Sequence, residues 1–185
     1  MTLTKTPICD FGKKAESFEL KSIENKIVSL NDVKGKNGTL IMFICNHCPY
    51  VKAVINDIVN DSNILKKEGI NFVAIMSNDT KNYPDDSFEN MIKFAKENHF
   101  NFPYLIDETQ EIAKAYDAVC TPDFFGYNSN LELQYRGRIR ELKELKPVRS
   151  GDSDLLNAML MVAQTGKGPE DQVPSMGCNI KWLDK

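Results

Sequence analysis

Thr39-Leu40-Ile41-Met42-Phe43-Ile44-Cys45-Asn46-His47-Cys48-Pro49-Tyr50 is the stretch on which the reading of this chain turns. Leu40 to Ile44 is an unbroken apolar run after the loop Gly35-Lys36-Asn37-Gly38, the pattern of a strand buried on both faces. The run stops at Cys45, and Cys48 follows with two residues between. From there Val51, Val54, Ile55, Ile58 and Val59 form the stripe of an amphipathic helix. Pro49 suits the first helical turn, where a missing N–H costs little. The pattern predicts a thiol pair at a strand-to-helix junction, with Cys45 ending the strand and capping the helix and Cys48 one turn on.

A helix N-terminus offers unpaired N–H groups and a partial positive charge. Both favour the thiolate, which is the nucleophile. A protonated His47 would add charge beside Cys45 and depress its pKa further. The expectation is a Cys45 pKa below that of an ordinary thiol, and reversible redox chemistry at Cys45 and Cys48. Two other readings of the same residues stay open: buried cysteines in a helix start, and a zinc site from Cys45, His47 and Cys48 with His99 as fourth ligand.

Outward from this stretch, Ile27 to Leu30 is a short strand candidate and Ile70 to Met76 a second buried strand. Ser77 to Pro84 reads as a loop. Phe88, Met91, Ile92 and Ala95 mark a helix, with Asp85 or Asp86 as its N-cap. Phe102 to Ile106 is a strand candidate; Ile112, Ala113 and Tyr116 mark a short helix. Asp123 to Tyr127 and Leu131 to Tyr135 read as a hairpin turning at Asn128-Ser129-Asn130. Leu155, Leu156, Met159, Leu160 and Ala163 form a last helix, with Gly166 as its C-cap. The expected order is β-α-β-α-β-α-β-β-α in a single domain over 1–185, with an N-terminal extension (1–38) and an irregular tail (167–185).

The chain has 185 residues, and a net charge of −3 excludes a basic field for nucleic acid or anionic lipid. Arg136, Arg138 and Arg140 read as a solvated face. Nothing resembles a signal-peptide core, and no run approaches the ~18 apolar residues of a bilayer span. The expectation is a cytoplasmic protein with neither nucleic-acid nor membrane partners. Five cysteines, an odd number and widely spaced, argue against a disulfide-stapled secreted scaffold.

Cys120-Thr121-Pro122-Asp123-Phe124-Phe125 is a second constellation. A proline opening a strand is allowed, and Thr121–Pro122 is a candidate cis bond, with a trans turn as the alternative.

A thiol pair at a strand–helix junction, with Thr-Pro at a hairpin start far downstream, resembles the thioredoxin superfamily. The segment Phe11 to Leu20 and the βαβ unit inserted before Pro122 look like its peroxiredoxin-like (redoxin, AhpC/TSA-type) branch. Phe43 to Tyr50, Cys120 to Phe125, Tyr135-Arg136-Gly137-Arg138-Ile139 and Pro174 to Trp182 together resemble members that carry a C-x-x-C. The resemblance spans about residues 11–182.

It implies an α/β thioredoxin-like fold, a central mixed sheet flanked by helices, with an N-terminal extension and the inserted βαβ element. It also implies a thiol–disulfide oxidoreductase that needs no bound cofactor and no metal. Cys45 would be the exposed attacking thiol and Cys48 the resolving thiol. Pro122 would be the cis-proline facing the pair, and the Thr121 backbone would receive an extended substrate by strand-like hydrogen bonds. His47 would contact the substrate. Partners would be protein or small-molecule disulfides and thiols, or peroxides.

This chain departs from thioredoxins at Ile44 and at Asn46-His47 inside the pair, so its redox poise should differ. Aligned with peroxiredoxins, Cys48 takes the peroxidatic place and Cys45 replaces a threonine. The hydroxyl that would help position peroxide is missing; thiol peroxidase activity is one alternative, and a non-enzymatic metal-binding module another. Cys120 and Cys178 are candidate accessory redox thiols, because the tail carrying Cys178 could reach the Thr121 surface.

Overall fold

A computed structural model describes residues 2–184. The elements in chain order are β1 (Leu3–Lys5), β2 (Glu19–Ser22), β3 (Ile27–Ser29), α1 (Leu30–Val33), β4 (Gly38–Phe43), α2 (Pro49–Lys67), β5 (Ile70–Met76), α3 (Phe88–Glu97), β6 (Tyr104–Ile106), α4 (Glu111–Ala115), β7 (Cys120–Thr121), β8 (Asp123–Asn128), β9 (Leu133–Tyr135), β10 (Leu142–Lys143), β11 (Lys146–Pro147), α5 (Asp154–Thr165) and β12 (Met176–Asn179).

A seven-stranded sheet runs β3-β2-β6-β5-β4-β8-β9. β4, β5 and β6 are parallel, while β8 and β2 pair antiparallel on either side of them. This is the expected mixed sheet. Its central strands are covered on both faces, so β4 is buried at every position and apolar without a break from Leu40 on. Leu40 and Met42 pack with Val51, Val54 and Ile58 of α2 and Met159 of α5. Ile41 and Phe43 pack on the other face with Val73, Ile75, Tyr116 and Phe125. Each such side chain contributes about 1.5–3 kcal/mol on burial, which fixes the strand end that delivers Cys45.

Four local expectations are corrected. The stretch 167–185 is not irregular throughout: β12 lies between β1 and β7 in a three-stranded antiparallel sheet, with Cys178 opposite Leu3 on one side and Thr121 on the other. These short segments lack a two-residue alternation and pair from opposite ends of the chain, so no local pattern announces them. The hairpin turn is longer than expected, because Leu131 adopts a left-handed φ of 57° and the return strand starts only at Leu133. The N-cap of α3 is Ser87, whose Oγ accepts from the Asn90 N–H, not Asp85 or Asp86.

The arginine cluster is not a solvated face either. Arg136 is buried, with Nη2 3.1 Å from Asp123 Oδ2 and its guanidinium 4.3 Å from the Phe125 ring centroid. Arg138 pairs with Asp154 at 2.7 Å and Arg140 with Asp57 at 3.0 Å. Each cation meets a carboxylate from another element. Asp123 Oδ2 also accepts the Val119 N–H at 3.1 Å, so the Arg136–Asp123 pair braces the loop that carries Thr121 and Pro122. Among the described residues no helix is long and apolar enough to cross a membrane.

Candidate active site

Between the end of β4 and the start of α2 the chain makes a loop of its own. Ile44 still donates to Ile75 O at 3.1 Å, but α2 begins only at Pro49, so its N-cap is Cys48 and not Cys45. The cause is the side-chain grip on Asn46. Its N–H donates to Asp86 Oδ1 at 2.8 Å, its amide nitrogen to Asp85 O at 3.1 Å, and its amide oxygen accepts from Tyr104 OH at 2.9 Å. A backbone held this way does not continue the helix upstream, and Pro49 takes the first helical position.

Both sulfurs of the pair face Thr121. Cys48 Sγ is 3.1 Å from Thr121 O, and Cys45 Sγ is 3.4 Å from Thr121 Oγ1. The Thr121–Pro122 bond is cis. Cys48 Sγ also lies 2.9 Å from Cys178 Sγ. The structure thus brings Cys45, Cys48, Cys178 and Thr121 together. Cys120, also buried, directs its sulfur to Pro122 O at 3.6 Å instead.

The expectation of an exposed Cys45 does not hold: Cys45 is 1% exposed and Cys48 0%. Nor is the Thr121 backbone open to a substrate, because β12 already pairs with it.

The electrostatics of the two thiols run opposite to expectation: the lowered pKa is at Cys48, not Cys45. The Cys45 thiol, hydrogen-bonded to Cys48, pulls the Cys48 pKa down to about 5; hydrogen bonds with the Cys178 and Thr121 side chains add to this, and together they overcome burial. The helix N-terminus acts in the same direction. Cys45 is pushed well above an ordinary thiol by that same bond to Cys48, by burial and by the nearby Asp86 carboxylate.

His47 does not act on Cys45 as anticipated. Its Nδ1 is 2.7 Å from Asp86 Oδ2 and 3.9 Å from Cys45 Sγ. The hydrogen bond to Asp86 raises the His47 pKa. Burial pushes Asp86 up, but hydrogen bonds from His47 and Asn78 hold its carboxyl below the usual carboxylate range. The positive charge of His47 is therefore matched by Asp86. The His47 ring stacks on Tyr83 with centroids 6.0 Å apart.

Asp86 is the residue the sequence reading missed. Fully buried, it accepts from Asn46 N–H, His47 and Asn78 Nδ2, and so shapes the whole Cys45–Cys48 loop. The run Asp85-Asp86-Ser87 offers three potential caps for one helix. Only the assignment of Ser87 leaves Asp86 over for another task. One ligand atom each from Cys45, His47 and Asp86 falls within 4.8 Å of the others, a grouping that includes neither Cys48 nor His99. A cation there would compete with the 2.7 Å His47–Asp86 contact.

Comparison with known proteins places this geometry in context. A thiol-disulfide oxidoreductase ResA from Bacillus thuringiensis subsp. konkukian (strain 97-27) is 29% identical over 125 residues, 66% of this chain and 66% of that protein. The chain thus spans just under two-thirds of the length of that relative. An uncharacterized conserved protein from Geobacillus kaustophilus superposes with a TM-score of 0.94 at 43% identity, covering 100% of this chain and 98% of the other. The thioredoxin domain of a thiol-disulfide oxidoreductase from Bacteroides vulgatus shares the fold with a TM-score of 0.58 at 17% identity, over 68% of this chain and 86% of that one. The fold is thioredoxin-like, as the resemblance implied. The model of the AhpC/TSA family matches residues 11–142, and the chain belongs to that family.

Proposed function

We propose that this protein is a thiol–disulfide oxidoreductase in which Cys48 is the attacking thiol and Cys45 resolves. The observation that carries the reading is the placement of Cys48 at the N-cap of a 19-residue helix, its sulfur beside the Thr121 carbonyl at 3.1 Å. The Cys48 thiolate attacks one sulfur of a substrate disulfide; that S–S bond breaks, a mixed disulfide forms and one substrate thiolate leaves. The Cys45 sulfur then attacks Cys48 Sγ, its proton passing to the second substrate thiolate as that leaves, and Cys45 and Cys48 are left oxidised. The reverse sequence reduces the pair at the cost of a thiol donor. The name carried by the Bacillus relative supports the same reaction class.

Mixing reduced protein with glutathione disulfide tests this. Wild type should release both glutathione thiols, and Cys48→Ser should lose roughly 100-fold or more in rate. A Cys48→Ser protein that exchanges at the wild-type rate would overturn the assignment.

Peroxide reduction is a second reading, favoured by Cys48 holding both the helix N-cap and the place that aligns with a peroxidatic cysteine. Cys48 would take one oxygen from a hydroperoxide, becoming a sulfenic acid and releasing an alcohol or water. Consumption of hydrogen peroxide that survives in Cys45→Ser but not in Cys48→Ser supports it; none in wild type excludes it.

A further inference from the structure

A strand of this chain lies where the exchange reading needs a substrate. β12 runs antiparallel to β7 with Cys178 opposite Thr121 and Asn179 opposite Cys120. The contact is close: a Cβ on Gly177 would stand 2.0 Å from Thr121 O and 3.1 Å from Pro122 N. Ser175 Oγ donates to Pro122 O at 2.9 Å. Both ends of the strand are held. Thr6 N–H donates to Ser175 O at 2.9 Å, and beyond β12 the Lys181 carbonyl accepts from Gln110 Nε2 at 2.8 Å and from Asp79 N–H at 2.8 Å. The result is a cysteine delivered on an extended backbone to the sulfur of the pair with the lower pKa, at 2.9 Å.

We propose that β12 is a built-in substrate strand and that Cys178 is a third redox thiol, which resolves the mixed disulfide on Cys48 before Cys45 does. The proposal rests on the exchange reading above. Cys48 is buried beneath its neighbours, so an external disulfide reaches it only when they are displaced. Once the Cys48 mixed disulfide has formed, the return of β12 places Cys178 against it. The Cys178 sulfur, its proton passing to the departing thiolate, attacks Cys48 Sγ; the bond from Cys48 to the substrate sulfur breaks and a Cys48–Cys178 bond forms. Cys45 then attacks Cys48, frees Cys178 as a thiol and leaves the Cys45–Cys48 disulfide. The substrate disulfide gains its two electrons from Cys48 and Cys178 by the time its second thiol leaves, and the last step only moves the protein disulfide from Cys178 to Cys45.

The test uses the full chain, reduced, mixed with glutathione disulfide, quenched with acid, alkylated and mapped by tryptic digestion. Cys45 and Cys48 lie with no lysine or arginine between them, so their disulfide is internal to one peptide, whereas a bond to Cys178 joins two. The early quench of wild type should contain the joined peptides. In Cys45→Ser, glutathione should leave Cys48 roughly tenfold or more faster than in Cys45→Ser/Cys178→Ser, as expected for a thiol held in place. Joined peptides should accumulate in the former, and the Cys48 adduct should persist in the latter. A persistent Cys48 adduct in Cys45→Ser with Cys178 alkylated would overturn the role of Cys178 while leaving exchange at Cys48 intact. Absence of any Cys48 adduct in the double variant, with its far-ultraviolet dichroism matching wild type, would instead overturn the exchange reading and this proposal with it.

Discussion

Asp86 Oδ2 stands 2.7 Å from His47 Nδ1, and Cys45 Sγ is 3.9 Å from that same nitrogen. One ring nitrogen thus faces both the carboxylate and the sulfur, and the carboxylate has the better contact. This explains why His47 does not acidify Cys45. Its charge is neutralised by a buried acid that also holds the loop backbone through Asn46.

Asp86→Ala should cost about 3 kcal/mol or more, the usual size of loss when one partner of a buried charged network is removed. The pH dependence has a defined sign. The His47 pKa is raised in the folded state, so its contribution is complete below the unfolded histidine value and is lost as pH rises through the folded one. The Asp86 pKa is lowered, so its contribution is present above the unfolded carboxylate value and is lost as pH falls through the folded one. Urea unfolding of wild type and Asp86→Ala across this range should show the largest difference between those two limits. A difference that does not vary with pH would contradict the charged pairing.

Gly177→Ala should push β12 away from β7, because its Cβ would meet the Thr121 carbonyl carbon and oxygen, backbone atoms that cannot swing aside. Overpacking of this kind costs about 1–3 kcal/mol. The strand shields Cys48, so alkylation of Cys48 by iodoacetamide at fixed pH should speed up. An unchanged alkylation rate would mean that β12 is not what covers the sulfur.

Asp61 is buried on the face of α2 that meets the start of α5, where its carboxylate accepts from Ser153 Oγ. Burial pushes its pKa up to about 6, with the Ser153 hydrogen bond pulling the other way. A raised carboxylate pKa disfavours the folded state above that value, and the penalty fades as pH falls through about 6 towards the unfolded value. Asp61→Asn should therefore stabilise the protein at neutral pH, by up to about 2–3 kcal/mol, and lose that advantage in acid. Thermal unfolding at the two pH values checks this; an advantage that grows in acid would be the wrong sign.

The strands and helices that carry the core were legible because hydrophobic periodicity reports burial directly. Leu40 to Ile44 and the stripe from Val51 to Val59 place the thiol pair in the fold, and Pro122 at the head of β8 follows from strand chemistry. What sequence could not provide was settled by contacts distant along the chain. The helix starts at Cys48 because Asp86, some 40 positions on, holds Asn46. β12 is a strand because the N-terminal β1 and the short β7 flank it. The three arginines looked solvated only because Asp57, Asp123 and Asp154 lie on other elements. The lowered thiol pKa was expected at Cys45 and lies at Cys48 for the same reason: a helix boundary moved by three residues transfers the N-terminal charge from one cysteine to the other.

The central claim is that Cys48, not Cys45, is the thiolate of the pair. Thiolate absorbance followed through a pH titration of wild type, Cys45→Ser and Cys48→Ser tests it most directly. Wild type should show a step near pH 5 that disappears in Cys48→Ser. In Cys45→Ser the step should persist, because the serine hydroxyl can donate to Cys48 in place of the thiol. A low-pH step that survives in Cys48→Ser and vanishes in Cys45→Ser would make Cys45 the thiolate instead.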